Sequence, residues 1–151
     1  MDLKDGRVVI ETRPDLAPKH VARIDELVKQ GFYDGVVFHR VIPGFMAQGG
    51  DPTGTGTGGS GKKIPAEFSS TKHVRGTCSM ARANDPNSAD SQFFICFADA
   101  SFLDGKYTVW GQVTEGMELV DKIKKGSQSN NGAVSDPDKI IKMQLAEDAK
   151  D

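Results

Sequence analysis

Four groups of residues have types and spacings that can do chemistry: a glycine-rich run, three histidines, two cysteines and a set of serines. Gly54-Thr55-Gly56-Thr57-Gly58-Gly59 matches the spacing GxGxxG letter for letter. Residues 56–62 match the first seven positions of the phosphate loop GxxxxGK[ST], but Lys63 at the eighth offers magnesium no hydroxyl. Both patterns need a strand before the loop and a helix after it, because the helix N-terminus carries the phosphate. Here GGDPTG leads into the run, and Ile64-Pro65 opposes a helix start. The glycines therefore read as structural, and no nucleotide is expected. His20, His39 and His73 lie far apart, without a metal-ligand spacing. Cys78 and Cys96 form no CxxC pair and sit in apolar runs, so they read as buried free thiols. The serines lack a GxSxG elbow, so Ser-His-Asp chemistry would need an arrangement made only by folding. No metal and no cofactor is expected.

The pattern of apolar residues lays out the elements that hold these groups. The chain has 151 residues, a usual size for one domain, and residues 1–151 read as one. Hydrophobic residues make up 37% and charged residues 26%, a balance that suits a soluble globular chain. A net charge of −2 gives no basic field for nucleic acid or anionic lipid. No apolar run approaches the ~20 residues that span a bilayer. The opening MDLKDGRVVIE lacks the apolar core of a signal peptide. Two free thiols suit a reducing compartment. A cytoplasmic location and a monomer are the expectations.

Residues 8–12 read as a β-branched strand, with 1–4 as a stub paired to it through the Asp5-Gly6 turn. From Pro18 to Gly31 the sequence predicts an amphipathic helix with Val21, Ile24, Leu27 and Val28 on one face. Strands are predicted over 35–42, 77–81, 91–97 and 107–113. A long Gly- and Pro-rich loop covers 43–65, and polar turns cover the RANDPNSAD stretch. A second helix is predicted over 115–125, stopped by Gly126. A last strand is predicted over 139–145, with Ile141, Met143 and Leu145 as its apolar side. Residues 145–151 read as a loose tail. Short strands without βαβ alternation imply an antiparallel sheet that must close or be covered.

Three segments together resemble the cyclophilins. They are FHRVIPGFMAQGGDPTGTGTGG over 38–59, SMARANDPNSADSQFFI over 79–95 and FLDGKYTVWGQVTEGMELVDKI over 102–123. They stand in the family's order, the resemblance runs over about residues 6–145, and the compact form is similar to bacterial cytoplasmic members. It implies a mainly β fold: a closed eight-stranded antiparallel barrel capped by two α-helices. It implies a peptidyl-prolyl cis-trans isomerase that acts on X-Pro bonds of flexible polypeptides, assists folding and needs no cofactor.

Residue by residue, the resemblance makes Arg40 catalytic. It makes Phe45, Met46, Phe94 and Leu103 the apolar slot for the proline ring. Gln48 and Gln92 would hold substrate backbone and position Arg40. Ala81, Arg82 and Ala83 would pair with extended substrate, and His39 would shape the pocket side. Tyr107 stands at the rim where many members have His. Phe102 stands where many eukaryotic members have Trp, and it lacks the indole N–H that helps hold cyclosporin, so weak cyclosporin binding is expected. Trp110 falls where Phe is common and is expected in the core, as are Phe93 and Ile95, because adjacent strand residues face opposite ways. Rival readings are a proline-peptide binding module without catalysis, a scaffold protein, and a nucleotide enzyme. Retention of Arg40 speaks against the first, and the intact pocket set against the second.

Overall fold

Short β-branched runs cannot bury both faces alone, so they assemble edge to edge. The structure, a computed structural model, describes residues 1–148. Its strands are β1 (Asp2–Leu3), β2 (Gly6–Arg7), β3 (Val9–Thr12), β4 (Arg40–Ile42), β5 (Met46–Gly49), β6 (Thr77–Met80), β7 (Phe93–Cys96) and β8 (Val109–Glu115). Its helices are α1 (Pro18–Lys29) and α2 (Met117–Val120). β1 and β2 form a hairpin, and the other six make one antiparallel sheet in the order β3-β8-β6-β7-β5-β4. The fold is mainly β with two helices, as expected.

Register separates two faces. Val41, Ala47, Ile95 and Cys78 lie opposite one another across four strands, and all four are buried in the main core. One residue along, Arg40, Gln48, Phe94 and Ser79 form the neighbouring row on the other face. Phe93, Ile95 and Trp110 sit in the main core, with Trp110 edge-on to Phe93 at 5.8 Å between ring centres. Met46, Phe94, Cys96, Ala100 and Leu103 form a second, separate apolar cluster. Cys78 and Cys96 are buried and free; burial pushes both thiols up, Cys96 to about 12, so neither is a nucleophile at neutral pH.

The ladders leave β3 and β4 at opposite edges of the six-stranded sheet. The seam between them is crossed by single hydrogen bonds rather than by a ladder. Gly35 and Phe38 donate to the carbonyls of Ile140 and Asp138, Asp2 donates to Lys142, and Val8 donates to Met1. The strand expected over 139–145 is reduced to isolated bridges at Lys139 and Lys142. Of its expected apolar side, Met143 is buried and Leu145 packs against the core, but Ile141 is 53% exposed and Ile140 is fully buried in its place. Pairing with residues 35–38 turns Ile140 rather than Ile141 toward the core. The strand expected over 35–42 likewise shrinks to Arg40–Ile42. Of the expected loose tail, Ala146–Asp148 forms a 3₁₀ turn, and the remainder lies outside the described residues.

α1 starts with Pro18 in its first turn and buries His20, Val21, Ile24, Leu27 and Val28. Gly31, at φ 73°, ends it as expected: its N–H donates to Val28 and that of Phe32 to Leu27. Ala17 has no side chain to cap the start. The Glu67 carboxylate does so from a distant loop, accepting from the N–H groups of Lys19 and His20 at 3.2 and 2.8 Å. α2 is a single turn, Met117–Val120, not the expected 115–125. Gly126 is not its stop. It lies against the Gly132 carbonyl, where a Cβ would collide, and donates to Val41. No helix among the described residues is long and apolar enough to cross a membrane.

His20 and His73 are fully buried and His39 is half-buried, and burial pushes all three imidazoles below their usual range. The unfolded chain binds these protons near pH 6.5, whereas the folded chain binds them only at lower pH. Stability is therefore full above about pH 6.5 and declines as the pH falls below it. The midpoint of urea unfolding is expected to drop steadily from pH 7 to pH 5. A flat midpoint over that window would show that the histidines titrate alike in both states.

Candidate active site

The second apolar cluster lines a cavity of about 140 Å³. Its wall comprises Arg40, Phe45, Met46, Gln48, Ala81, Arg82, Phe94, Leu103 and Tyr107. The register explains their convergence. Gln48 lies directly across from both Arg40 and Phe94, and Met46 is two residues from Gln48 on the same face. Leu103 turns inward from a 3₁₀ turn over Ser101–Leu103, and Tyr107 stands edge-on to Phe94 at 5.8 Å.

Arg40 is held on three sides. Nε donates to the Asn131 carbonyl at 3.0 Å, Nη2 to Asn131 Oδ1 at 3.1 Å, and Nη1 to Gln48 Oε1 at 3.1 Å. A guanidinium carries five N–H donors, so two remain for a ligand. Gln48 is oriented in turn, because its Nε2 donates to Gln92 Oε1 at 3.0 Å. Gln92 Nε2 then donates to the carbonyls of Gly56 and Gly58, both at 3.0 Å. This chain reaches back to the glycine-rich loop.

That loop wraps a carboxylate of its own. Asp51 is fully buried and accepts from the N–H groups of Thr53, Thr55, Gly56 and Gly58 at 2.6–3.2 Å, and from the Thr53 hydroxyl at 2.8 Å. Burial pushes this carboxyl up, but the Gly58, Thr53 and Gly56 donors outweigh it and hold it far below the usual range. The N–H groups that a phosphate would need are occupied by Asp51, which is the physical reason the GxGxxG match does not signal a nucleotide site. A Cβ at Gly58 would run into that carboxylate.

Four residues predicted for the site lie elsewhere. Ala83 and Gln92 line an adjoining cavity of about 320 Å³, which shares Gln48, Ala81 and Arg82 with the first. His39 lines neither cavity. As the strand neighbour of Arg40 it faces the other way, and its ring lies against Gly56. Phe102 also lines neither; it is 62% exposed, on the rim, with its ring 5.4 Å from Phe45. Sequence reasoning missed Asn131, the main anchor of Arg40. Asn131-Gly132 signals a turn, and Asn131 adopts φ 55° there, but no local signal links that turn to a residue 91 positions earlier. Folding also creates a Ser-His-Asp row. His73 Nδ1 lies 3.1 Å from Asp104 and Nε2 lies 2.9 Å from Ser79 Oγ. Both Ser79 and His73 are buried, and the Ser79 hydroxyl donates to the Thr108 carbonyl, so no substrate reaches the row. The His73 ring instead stacks on Phe94 and backs the cavity wall.

The site is a fixed guanidinium beside a small, partly apolar cavity on one face of an antiparallel sheet. The family model of the cyclophilin type peptidyl-prolyl cis-trans isomerases matches residues 1–145. A probable peptidyl-prolyl cis-trans isomerase of Brucella abortus is 58% identical, over 99% of this chain and 83% of the relative. One from Synechococcus elongatus is 41% identical, over 99% and 96%. A cyclophilin crystal structure from Hirschia baltica superposes with a TM-score of 0.87 at 30% identity, over 99% of this chain and 73% of that one. A Cryptosporidium parvum cyclophilin type isomerase, crystallised in the presence of the dipeptide Ala-Pro, gives 0.84 at 30% identity, over 94% of each chain. This chain belongs to the cyclophilin family, and its activity is peptidyl-prolyl cis-trans isomerisation.

Asp51→Ala removes the shared acceptor of four backbone N–H groups and frees the loop that they hold. The amides of Thr53, Gly56 and Gly58 are expected to exchange with solvent faster in NMR spectra, and isomerase turnover to fall roughly tenfold, about 1.4 kcal/mol of barrier. Faster exchange with unchanged turnover would uncouple the loop from Arg40.

Proposed function

We propose that Arg40 is the catalytic residue and that the 140 Å³ cavity receives the proline ring. The carrying observation is the Arg40 guanidinium, fixed by Asn131 and Gln48 at the wall of an apolar slot. Rotation about a peptide bond costs ~18–20 kcal/mol because it breaks amide resonance. No atom is transferred, so the protein must bind the twisted amide more tightly than either planar form. Twisting gives the prolyl nitrogen a lone pair. A permanently charged donor aimed at it favours the twisted state and opposes the return of resonance. About 7 kcal/mol of such preference gives a 10⁵-fold acceleration.

Phe45, Met46, Phe94 and Leu103 supply apolar contact for the ring, while Ala81 to Ala83 and Gln92 receive the extended flanking chain. The Ala-Pro dipeptide used with the Cryptosporidium relative supports proline-containing peptides as ligands, and flexible polypeptides as substrates. The hydrogen bonds along the seam support closure of the sheet into an eight-stave barrel, with residues 138–142 and the opening segment as the closing staves. This reading takes the chain as one domain, a monomer and a cytoplasmic protein. Its rival is a groove that binds proline peptides without turning them over.

The deciding experiment is cis-trans exchange in an Ala-Pro peptide by NMR, with intact protein and with Arg40→Ala. Fast exchange with the intact chain and a loss of about a hundredfold or more in a folded variant is expected, because the group acts in the transition state. Peptide binding without accelerated exchange would leave only the binding module. For cyclosporin, Phe102→Trp adds an N–H donor on an exposed rim and is expected to tighten binding about tenfold in a calorimetric titration, with a smaller effect on turnover. Equal affinities would place the cyclosporin contact away from residue 102.

A further inference from the structure

Gln48, Ala81 and Arg82 form the wall between the small cavity and its larger neighbour, and Arg82 is the charged one. Its side chain is fixed. Nε and Nη2 donate to the Lys106 carbonyl at 3.0 and 2.8 Å, and Nη1 donates to the carbonyls of Ala83 and Asn84 at 2.9 and 3.2 Å. The ring centres of Tyr107 and Phe68 lie 4.8 and 5.8 Å from its central carbon. Every one of these partners is neutral. Arg40 is likewise held by neutral groups, those of Asn131 and Gln48. Among the described residues no carboxylate lines the small cavity. Two arginines therefore line one small cavity to which no described residue brings a carboxylate. In the neighbouring cavity Lys63 adds a cation and Asp90 a carboxylate, held by the N–H groups of Ser60 and Gly61 and the Ser60 hydroxyl, so those two charges offset one another and Arg82 stands without a counter-charge at the shared wall.

We propose that Arg82 makes this site selective for substrates with an acidic residue beside the proline, the carboxylate lying at the wall that the two cavities share. The proposal rests on the isomerase reading of the small cavity. The resemblance assigned the stretch around Arg82 to pairing with substrate backbone; here its side chain sets the choice of substrate. Carbonyl oxygens satisfy the hydrogen bonds of Arg82 without neutralising its charge, so a substrate carboxylate is the missing counter-ion. The attraction acts alike on cis, trans and twisted forms, so it lowers KM and leaves kcat unchanged. A lysine at the same place meets the same field as repulsion.

The test is kcat/KM on short peptides carrying Glu, Gln or Lys beside the proline, on either side of it, at low and high salt. The intact protein is expected to favour Glu about threefold over Gln and about tenfold over Lys at low salt on one side of the proline, with the difference carried by KM and shrinking as salt rises. Arg82→Met keeps an apolar stem between the Phe68 and Tyr107 rings and removes the charge; the three peptides are expected to converge. Arg82→Gln, which retains a donor for the Lys106 carbonyl, is expected to give the same convergence. Equal rates in the intact protein, or a preference that survives both variants, would overturn the proposal while leaving the isomerase reading standing. Absence of catalysis on the neutral Gln peptide would overturn that reading, and the proposal with it.

Discussion

The site depends on a buried carboxylate that has found its counter-charge in backbone N–H groups. Asp51 gathers four such groups from the glycine-rich loop and so fixes the carbonyls of Gly56 and Gly58. Those carbonyls orient Gln92, Gln92 orients Gln48, and Gln48 orients Arg40. Each amide in the chain has one donor end and one acceptor end, so the polarity set at Asp51 is passed on without ambiguity. A buried carboxylate would be costly alone, and a loop this rich in glycine would be entropically costly to order alone. Together they make a rigid support.

The second constraint is the period of two along a strand. It lets residues 92–95 serve two environments at once. Phe93 and Ile95 fill the main core, while Phe94 turns to the smaller cluster and walls the cavity. The same alternation puts Arg40 on the site and His39 under the loop. His73 and Ser79 show how closely packing resembles chemistry: their row with Asp104 has hydrolase geometry, yet it is sealed and serves to back Phe94. Burial, rather than distance, separates the two roles.

The electrostatics of the site are one-sided. Its guanidiniums are anchored by amides, carbonyls and rings, a choice of partners that immobilises them without cancelling their charge. A fixed, uncancelled donor is what stabilisation of a developing lone pair requires, because no reorganisation is needed when the charge appears.

From sequence alone, the elements with strong local signals were readable. Pro18, the apolar face of α1 and the Gly31 stop define a helix from local rules, and the runs at 8–12, 77–81, 91–97 and 107–113 define strands to within two residues, whereas 35–42 shortens to Arg40–Ile42 and 139–145 keeps only isolated bridges. The three cyclophilin-like segments pointed to Arg40, Phe45, Met46, Gln48, Ala81, Arg82, Phe94, Leu103 and Tyr107, all of which meet at one cavity. What tertiary structure decided depends on contacts between distant residues. Asn131 reaches Arg40, and Glu67 caps α1, across separations that no local pattern encodes. The burial of Ile140 rather than Ile141 was set by the seam they pair with, and α2 shrank to one turn because packing, not propensity, decides where a short helix ends. The loop that matched a phosphate cradle proved to be filled by its own aspartate, since a motif records which N–H groups are present but not which anion has already claimed them.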